Sequence, residues 1–366
     1  MPGAASVIAR RGLILLVTFV LIVIVVSAIV EGTGYSKDIY EAMIREIVRG
    51  EVMALRRGGN ITEEFIRQYV ENRTFQLRIE FGLIDEHGNE IPPYRRMWNL
   101  VYRTLTFNFT KTDKVGVANV VPMPAPAPIM DIIAAVLPRT ILIVTVADII
   151  VIALALLIGP RIAYRHGSLA DRFVVAYAAI ITAVPLWWLA MIFIQVFSYN
   201  LNWFPRDLRG VVSILNNFWN DPLNNFIQLL WYITLPIIVF VIWSIGSWLY
   251  SLRAMLLRVI REDYVMAAKA RGIPEKLITR RYILRVSLAP VITSVILALA
   301  GSIGGMIITE SVFNWPGMGT LYYAAITEGD SQTLLALTVI YVGVYLAARF
   351  ILEILYIIID PRVRVR

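Results

Sequence analysis

The chain has 366 residues, of which 58% are hydrophobic and 16% are charged, and its mean hydropathy is +0.69. A soluble globular protein carries more charge than this, so the composition indicates a membrane protein. A bilayer with anionic headgroups explains the net charge of +8 better than nucleic acid does, because no basic run alternates with aromatic residues outside the apolar runs. The absence of cysteine excludes disulfides and thiolate sites, and two distant histidines, His87 and His166, argue against a metalloenzyme.

Six apolar runs are each long enough to cross about 30 Å of hydrocarbon. They lie at Leu13–Val30, Thr140–Ile158, Phe173–Phe197, Leu229–Leu249, Val286–Ile308 and Leu334–Ile359. We therefore predict an all-α integral membrane protein with six transmembrane helices. The first run follows Arg10-Arg11 and has a signal peptide as its alternative reading. Its apolar core is longer than the usual ~7–15 residues of a signal peptide, and no small-x-small cleavage site precedes Glu31. Residues 1–30 are therefore predicted to be an uncleaved membrane anchor.

Basic residues in the short loops predict the orientation of the helices. They gather between the second and third runs, between the fourth and fifth, and at the end of the chain, on the same side as Arg10 and Arg11. The short opposite loops contain only Arg206 and Arg209. Both termini are therefore predicted to be cytoplasmic in the cell membrane. Residues 31–138 are predicted to form a small extracytoplasmic domain, inserted after the first helix and ending in a stiff Pro-rich connector, and residues 139–366 a five-helix core.

The loop over residues 251–285 has a sequence pattern that membrane anchoring alone does not explain. Small and apolar residues predict a helix from about Arg253 to Ala270, with Gly272 where a left-handed cap is needed and Pro274 where a second helix can begin. Ala267, Ala268 and Ala270 would give this helix a low-relief surface that the backbone of another protein can approach closely. For each single arginine of the loop, a positive-inside role is the alternative.

These residues resemble the EAA loop in the membrane subunits of binding-protein-dependent ABC importers. The resemblance lies in Ala267-Ala268, in Gly272 four residues later and in Pro290. It is closest to the dipeptide/oligopeptide group, whose pattern is similar to Asp263-Tyr264-Val265, to the stretch 310–319 between the last two spans, and to the chain's ending, 360–364. The resemblance covers about Gly159 to the C-terminus and implies the type I ABC importer permease fold.

The resemblance also implies roles for individual residues. Contact with a cytoplasmic ATPase is expected from Asp263, Tyr264, Ala267, Ala268, Lys269, Arg271, Gly272, Glu275, Arg281 and Arg285. The translocation pathway is expected to include Pro185, Trp187, Trp188, Gln195 and Glu310. No catalytic or metal-binding residue is expected. The chain has no Gly-x-x-x-x-Gly-Lys-Ser/Thr sequence, so ATP and Mg²⁺ are expected on partner subunits and no cofactor on this chain.

The partners implied are a second homologous permease subunit, cytoplasmic ABC ATPase subunits, an extracytoplasmic solute-binding protein and membrane lipids, with no nucleic acid. The leading hypothesis is a permease for di- and oligopeptides. Import of oligosaccharides by the same machinery, and a carrier or channel that works without an ATPase, are the alternatives. An intramembrane enzyme ranks last, because its catalytic arrangements are missing from the spans. Within the last span, Arg349 and Glu353 are one helical turn apart and are expected to neutralise each other.

Overall fold

The computed structural model describes residues 4–32, 35–57, 62–109, 111–301 and 306–359, which are mostly helical. The terminal sequence 360–364 lies outside the described residues. The first helices are α1 (Ala4–Gly32), α2 (Tyr35–Arg57), α3 (Glu63–Glu80), α4 (Pro93–Leu105) and α5 (Val115–Ala118). Two short strands, β1 (Lys111–Thr112) and β2 (Ala127–Pro128), pair in antiparallel fashion, with Lys111 opposite Pro128.

The remaining helices follow without further strands in the part of the chain that the structure describes. They are α6 (Ile129–Tyr164), α7 (Leu169–Ala183), α8 (Leu186–Phe193), α9 (Val211–Asn216), α10 (Pro222–Ile260), α11 (Asp263–Ala270), α12 (Glu275–Leu277), α13 (Arg285–Gly301), α14 (Ile307–Phe313), α15 (Met318–Thr327) and α16 (Ser331–Ile359). π-helical segments at Ile194–Asn200 and Ile278–Leu284 continue α8 and α12, and 3-10 turns at Leu208–Gly210 and Phe218–Asn220 flank α9.

Four of the described helices are long and apolar enough to cross a membrane by themselves, namely α1, α6, α10 and α16. Two further spans are bent helix pairs, so six spans result if each pair crosses once. The predicted span over Phe173–Phe197 is bent rather than one continuous helix, because α7 and α8 meet at 92°. Pro185 explains the break: it lacks an amide hydrogen and restricts Val184 to an extended backbone, observed at φ −92° and ψ 121°.

Helices α6 and α10 form the centre of the bundle. Buried residues of both, such as Val151 and Val239, share one apolar cluster with Trp315, which is 1% exposed. A second cluster joins the start of α6 to α15 and α16 through Ile129, Met318 and other apolar side chains. Each long helix is thus held in place by an apolar stripe that packs against its neighbours. The rest of its surface is exposed, as expected for a surface that contacts lipid.

The segment between α1 and α6 contains a helical hairpin. Helices α2 and α3 bury a small apolar core around Ile44 and Leu77. Across them, Arg73 Nε donates to Glu51 Oε2 at 3.0 Å. At the other end of the chain, Glu353 forms an ion pair with Arg11 of α1. We predicted that Arg349 neutralises Glu353, but the structure pairs Glu353 with Arg11 instead. This ion pair joins α16 to α1.

Candidate functional site

The 251–285 loop is built from two short helices that leave the bundle and return to it. The predicted single helix from Arg253 to Ala270 is wrong, because α10 ends at Ile260 and α11 begins at Asp263. Glu262 makes the turn between them with an extended backbone, φ −69° and ψ 143°. Asp263 then places a carboxylate in the first turn of α11, where the helix dipole favours a negative charge.

A tight cap ends α11. Gly272 has φ +71°, which confirms its predicted left-handed conformation. Its amide donates to the Lys269 carbonyl oxygen at 2.9 Å, and the Ile273 amide donates to the Ala268 carbonyl oxygen at 3.2 Å. These two bonds are the Schellman pattern, which satisfies the last carbonyl groups of a helix and fixes the direction of the chain that follows. Pro274 is the N-cap of α12, so a second helix begins where the sequence predicted it.

The inner face of α11 rests on the permease's own bundle. Val265 is fully buried and Ala268 is 3% exposed, in a cluster that includes Leu256 of α10. The expectation that Ala268 contacts a partner is therefore corrected: its small side chain lets α11 approach the bundle closely. Lys269 adds a contact by placing Nζ 4.9 Å from the centre of the Tyr164 ring at the end of α6.

The outer face of α11 has small residues at its middle. Ala267 and Ala270 are exposed, and helical periodicity places them between Met266 and Tyr264, which are 52% and 40% exposed. Burial, followed by the charge of the nearby Glu262, raises the pKa of Tyr264, so its hydroxyl stays neutral near pH 7. The other exposed residues expected to contact an ATPase are Asp263, Lys269, Arg271, Gly272, Glu275, Arg281 and Arg285.

A polar cluster, which we call the α7–α10 clamp, lies between the start of α7 and the end of α10. It consists of His166, Asp171 and Arg253. Asp171 is 2% exposed, and its Oδ2 is 3.0 Å from His166 Nδ1 and 2.9 Å from Arg253 Nη2. Arg253 Nε also donates to Oδ1. This cluster could not be predicted from the sequence, because Asp171 and Arg253 are 82 residues apart. The sequence indicates only the local capping pair of Ser168 and Asp171.

The stretch 310–319 closes onto the start of α6. Glu310 is 5% exposed; its Oε1 accepts the hydroxyl hydrogen of Thr140 at 3.1 Å and its Oε2 accepts the Gly319 amide at 2.8 Å. Thr140 Oγ1 in turn accepts the Met318 amide at 2.7 Å. A Cβ atom on Gly317 would lie 2.4 Å from both Glu310 Oε2 and Thr140 Oγ1, so the polar cluster requires glycine there.

The residues expected along the translocation pathway are not gathered in one place. Pro185 is at the bend, Trp187 and Trp188 are partly exposed on α8, and Gln195 bonds Asn200 at 3.2 Å. Glu310 is enclosed by its hydrogen-bond partners, and its place on the translocation pathway stays a prediction. A separate cavity of about 190 Å³ lies between α6, α10 and α13, and its polar lining is Ser247, Ser251 and Ser294. None of the five predicted residues lines it.

Residues 151–365, which include the loop, the clamp and the stretch 310–319, match the family described as binding-protein-dependent transport system inner membrane component. The chain belongs to this family. It is thus a multi-pass permease component of a transport system, a transport protein rather than an enzyme. This confirms the resemblance drawn from the sequence of the loop.

The chain is also similar in sequence to individual permeases, over stretches much longer than the loop. The oligopeptide transport system permease protein AppB of Bacillus subtilis (strain 168) is 32% identical over 238 residues, 64% of this chain and 72% of AppB. A putative peptide transport system permease protein of Brucella abortus (strain 2308) is 29% identical over 290 residues, 79% of this chain and 84% of the relative. The di/tripeptide permease DppB of Pseudomonas aeruginosa (strain UCBPP-PA14) is 28% identical over 57% of this chain and 65% of DppB.

Proposed function

We propose that this permease is one of two homologous membrane subunits of an ATP-driven importer, and that its 251–285 loop receives the movement of a cytoplasmic ATPase. The observation that carries the proposal is the construction of α11. Its inner face is anchored by Val265 and Ala268, its end is fixed by the cap at Gly272, and its outer face presents Ala267 and Ala270. A short helix held in this way transmits a displacement that a flexible loop would absorb.

The contacts of the loop explain how a push on α11 would reach the membrane helices. The buried face of α11 shares its cluster with α6, α7, α10 and α13. The α7–α10 clamp holds α7 to α10, so these two helices move together. Beyond α7, the bend at Pro185 changes direction into α8, which packs against α10 and α14. We propose that ATP-driven closure rocks this group of helices and opens the pathway to alternate sides of the membrane.

The solute we propose is a di- or oligopeptide. AppB and DppB are named for oligopeptide and di/tripeptide transport, and the match to each reaches over more than half of this chain. We place the termini and the 251–285 loop in the cytoplasm, and residues 31–138 on the outer face, where a solute-binding protein docks. ATP and Mg²⁺ belong to the ATPase partners, since this chain contains no phosphate-binding loop.

Replacement of Gly272 tests the coupling role of the loop. At φ +71° a β-branched side chain is strained whatever the space around it, whereas asparagine tolerates this conformation. We expect Gly272→Val to lower peptide uptake at least tenfold while the complex still hydrolyses ATP, and Gly272→Asn to keep most uptake. The measurement is uptake of a radiolabelled peptide, together with ATP hydrolysis, by the reconstituted complex.

Gly82 provides the matched control, since it has φ +70°, no atom within 4 Å of an added Cβ, and a place in the segment before α4. Gly82→Val imposes the same backbone strain away from the loop and is expected to preserve uptake. Equal loss of uptake in both valine variants would mean that strain alone is responsible. Uptake by the purified chain without any ATPase would contradict the importer and support the carrier or channel.

A further inference from the structure

Helix α4 carries an exposed aromatic stripe that the proposed transport cycle does not use. Tyr94, Trp98 and Tyr102 follow one another at a spacing of four residues, so they lie along one side of the helix. Their exposed fractions are 60%, 54% and 70%. A continuous row of large aromatic side chains is an unusual surface to leave in water, and it indicates contact with an apolar or interfacial partner.

The face of α4 beside this stripe packs along the transmembrane helix α1. Near the start of α4, Arg96 Nε donates to Glu31 Oε2 at 2.9 Å, and both side chains are buried. Glu31 directly follows the apolar run of α1, so this ion pair marks the end of that run. Towards the end of α4, Val101 and Leu105 belong to the same apolar cluster as Val23 of α1. Helix α4 therefore runs alongside the apolar part of α1.

The position of this cluster gives the depth of α4. Val23 precedes Glu31 by eight residues, which corresponds to about 12 Å along a helix. One leaflet contributes about half of the ~30 Å hydrocarbon thickness, so the cluster lies at the level of acyl chains. At the same level α1 exposes Leu21 and Val25, at 55% and 54%. The exposed side of α4 therefore lies at the same membrane depth as this lipid-facing surface of α1.

We infer that α4 is an interfacial helix embedded in the leaflet at the Gly32 end of α1, with phospholipid as the occupant of its aromatic stripe. Tyrosine and tryptophan prefer the boundary between acyl chains and headgroups, where an apolar ring and a polar tip are both satisfied. Arg95, which is exposed beside the stripe, has a long side chain that reaches headgroup phosphates. The buried ion pair between Arg96 and Glu31 holds the helix against α1 at this level.

Single-cysteine spin labelling tests the inference cleanly, because the chain has no native cysteine. Trp98→Cys and Tyr102→Cys carry the nitroxide on the stripe. Val25→Cys, in the lipid-facing part of α1, and Phe65→Cys, on α3 and 50% exposed, serve as the lipid and water references. The full-length chain is placed in phosphatidylcholine nanodiscs, and the collision rates of each label with molecular oxygen and with a water-soluble nickel chelate are compared.

We expect the labels at Trp98 and Tyr102 to collide more with oxygen than with the nickel chelate, as at Val25, with the larger ratio at Tyr102. The label at Phe65 should show the opposite preference. A water-like ratio at both stripe positions would overturn the inference, and so would exclusion of both reagents, since that result would mean coverage by protein. A labelled variant that fails to elute as a single species is replaced by Tyr94→Cys, on the same stripe.

Discussion

At the scale of single residues, Thr140 determines how the stretch 310–319 is held. One hydroxyl group donates to Glu310 and accepts from the Met318 amide. Both partners are buried, so removing the hydroxyl leaves a carboxylate oxygen and an amide without this partner in an apolar region. We expect Thr140→Val to lower the free energy of unfolding by about 1–3 kcal/mol. The check is the midpoint of thermal unfolding of the detergent-solubilised chain.

Two variants make the Thr140 experiment specific. Thr140→Ser keeps the hydroxyl group and should retain most of the stability. Thr182→Val removes a hydroxyl that donates to the Ala178 carbonyl oxygen of its own helix, at 2.7 Å, and should change the midpoint little. If Thr140→Val and Thr182→Val shift the midpoint equally, the cluster around Glu310 does not hold the stretch.

The residue scale also shows what a sequence can and cannot predict here. Gly272 was predicted correctly, because a glycine after a small-residue helix and before proline has few other structural uses. Ala268 was assigned to the wrong face, because alanines that seat a helix and alanines that meet a partner are the same in sequence. Glu310 was placed on the pathway from its motif alone, and its bond to Thr140 joins positions 170 residues apart.

At the scale of elements, the apolar runs predicted where the long helices lie but not their shape. The runs at α1, α6, α10 and α16 became single helices, whereas the run around Pro185 became two helices at 92°. Proline inside an apolar run does not by itself decide the matter, since Pro236 lies within the continuous α10. Hydropathy alone therefore does not distinguish a proline that breaks a span, such as Pro185, from one that the helix accommodates, such as Pro236.

The α7–α10 clamp is the element-scale contact with the largest expected effect. The side chains of Asp171 and Arg253 are 3% and 13% exposed, and removing one partner would leave the other charge buried without it. We expect Arg253→Met to cost on the order of 3 kcal/mol of stability. The double variant with Asp171→Asn should lose less than the sum of the two single variants, because neither charge then remains. Thermal unfolding of the four proteins gives the coupling energy.

The exposed pair of Asp207 and Arg209 is the control for the clamp. Its side chains are 42% and 71% exposed, so Arg209→Met should cost less than about 1 kcal/mol. Additive losses in the Asp171 and Arg253 cycle would show that the two helices are joined by apolar packing alone. The coupling of α7 to α10 in the proposed transport cycle would then need another contact.

At the scale of the whole molecule, the proposed importer requires the 251–285 loop and the α2–α3 hairpin to face opposite sides of the membrane. Charge in the short loops predicts this arrangement, with α1 as the one crossing between an N-terminus expected in the cytoplasm and the hairpin. Met266 and Phe65 are suitable reporters, since they are exposed to nearly the same degree, 52% and 50%. Any difference in their labelling then reflects the side of the membrane rather than local burial.

We therefore expect a membrane-impermeant maleimide to label Phe65→Cys in intact cells and to label Met266→Cys only after the membrane is opened. In opened membranes, the ATPase partners should protect Met266→Cys and leave Phe65→Cys reactive, because α11 is the proposed contact and the hairpin is not. Labelling of Met266→Cys in intact cells would reverse the orientation and remove the loop from any cytoplasmic ATPase. If each variant is labelled from the expected side but the ATPase does not protect Met266→Cys, the topology stands and the ATPase contact lies away from α11. The exposed face of that helix would then remain open in the assembled complex.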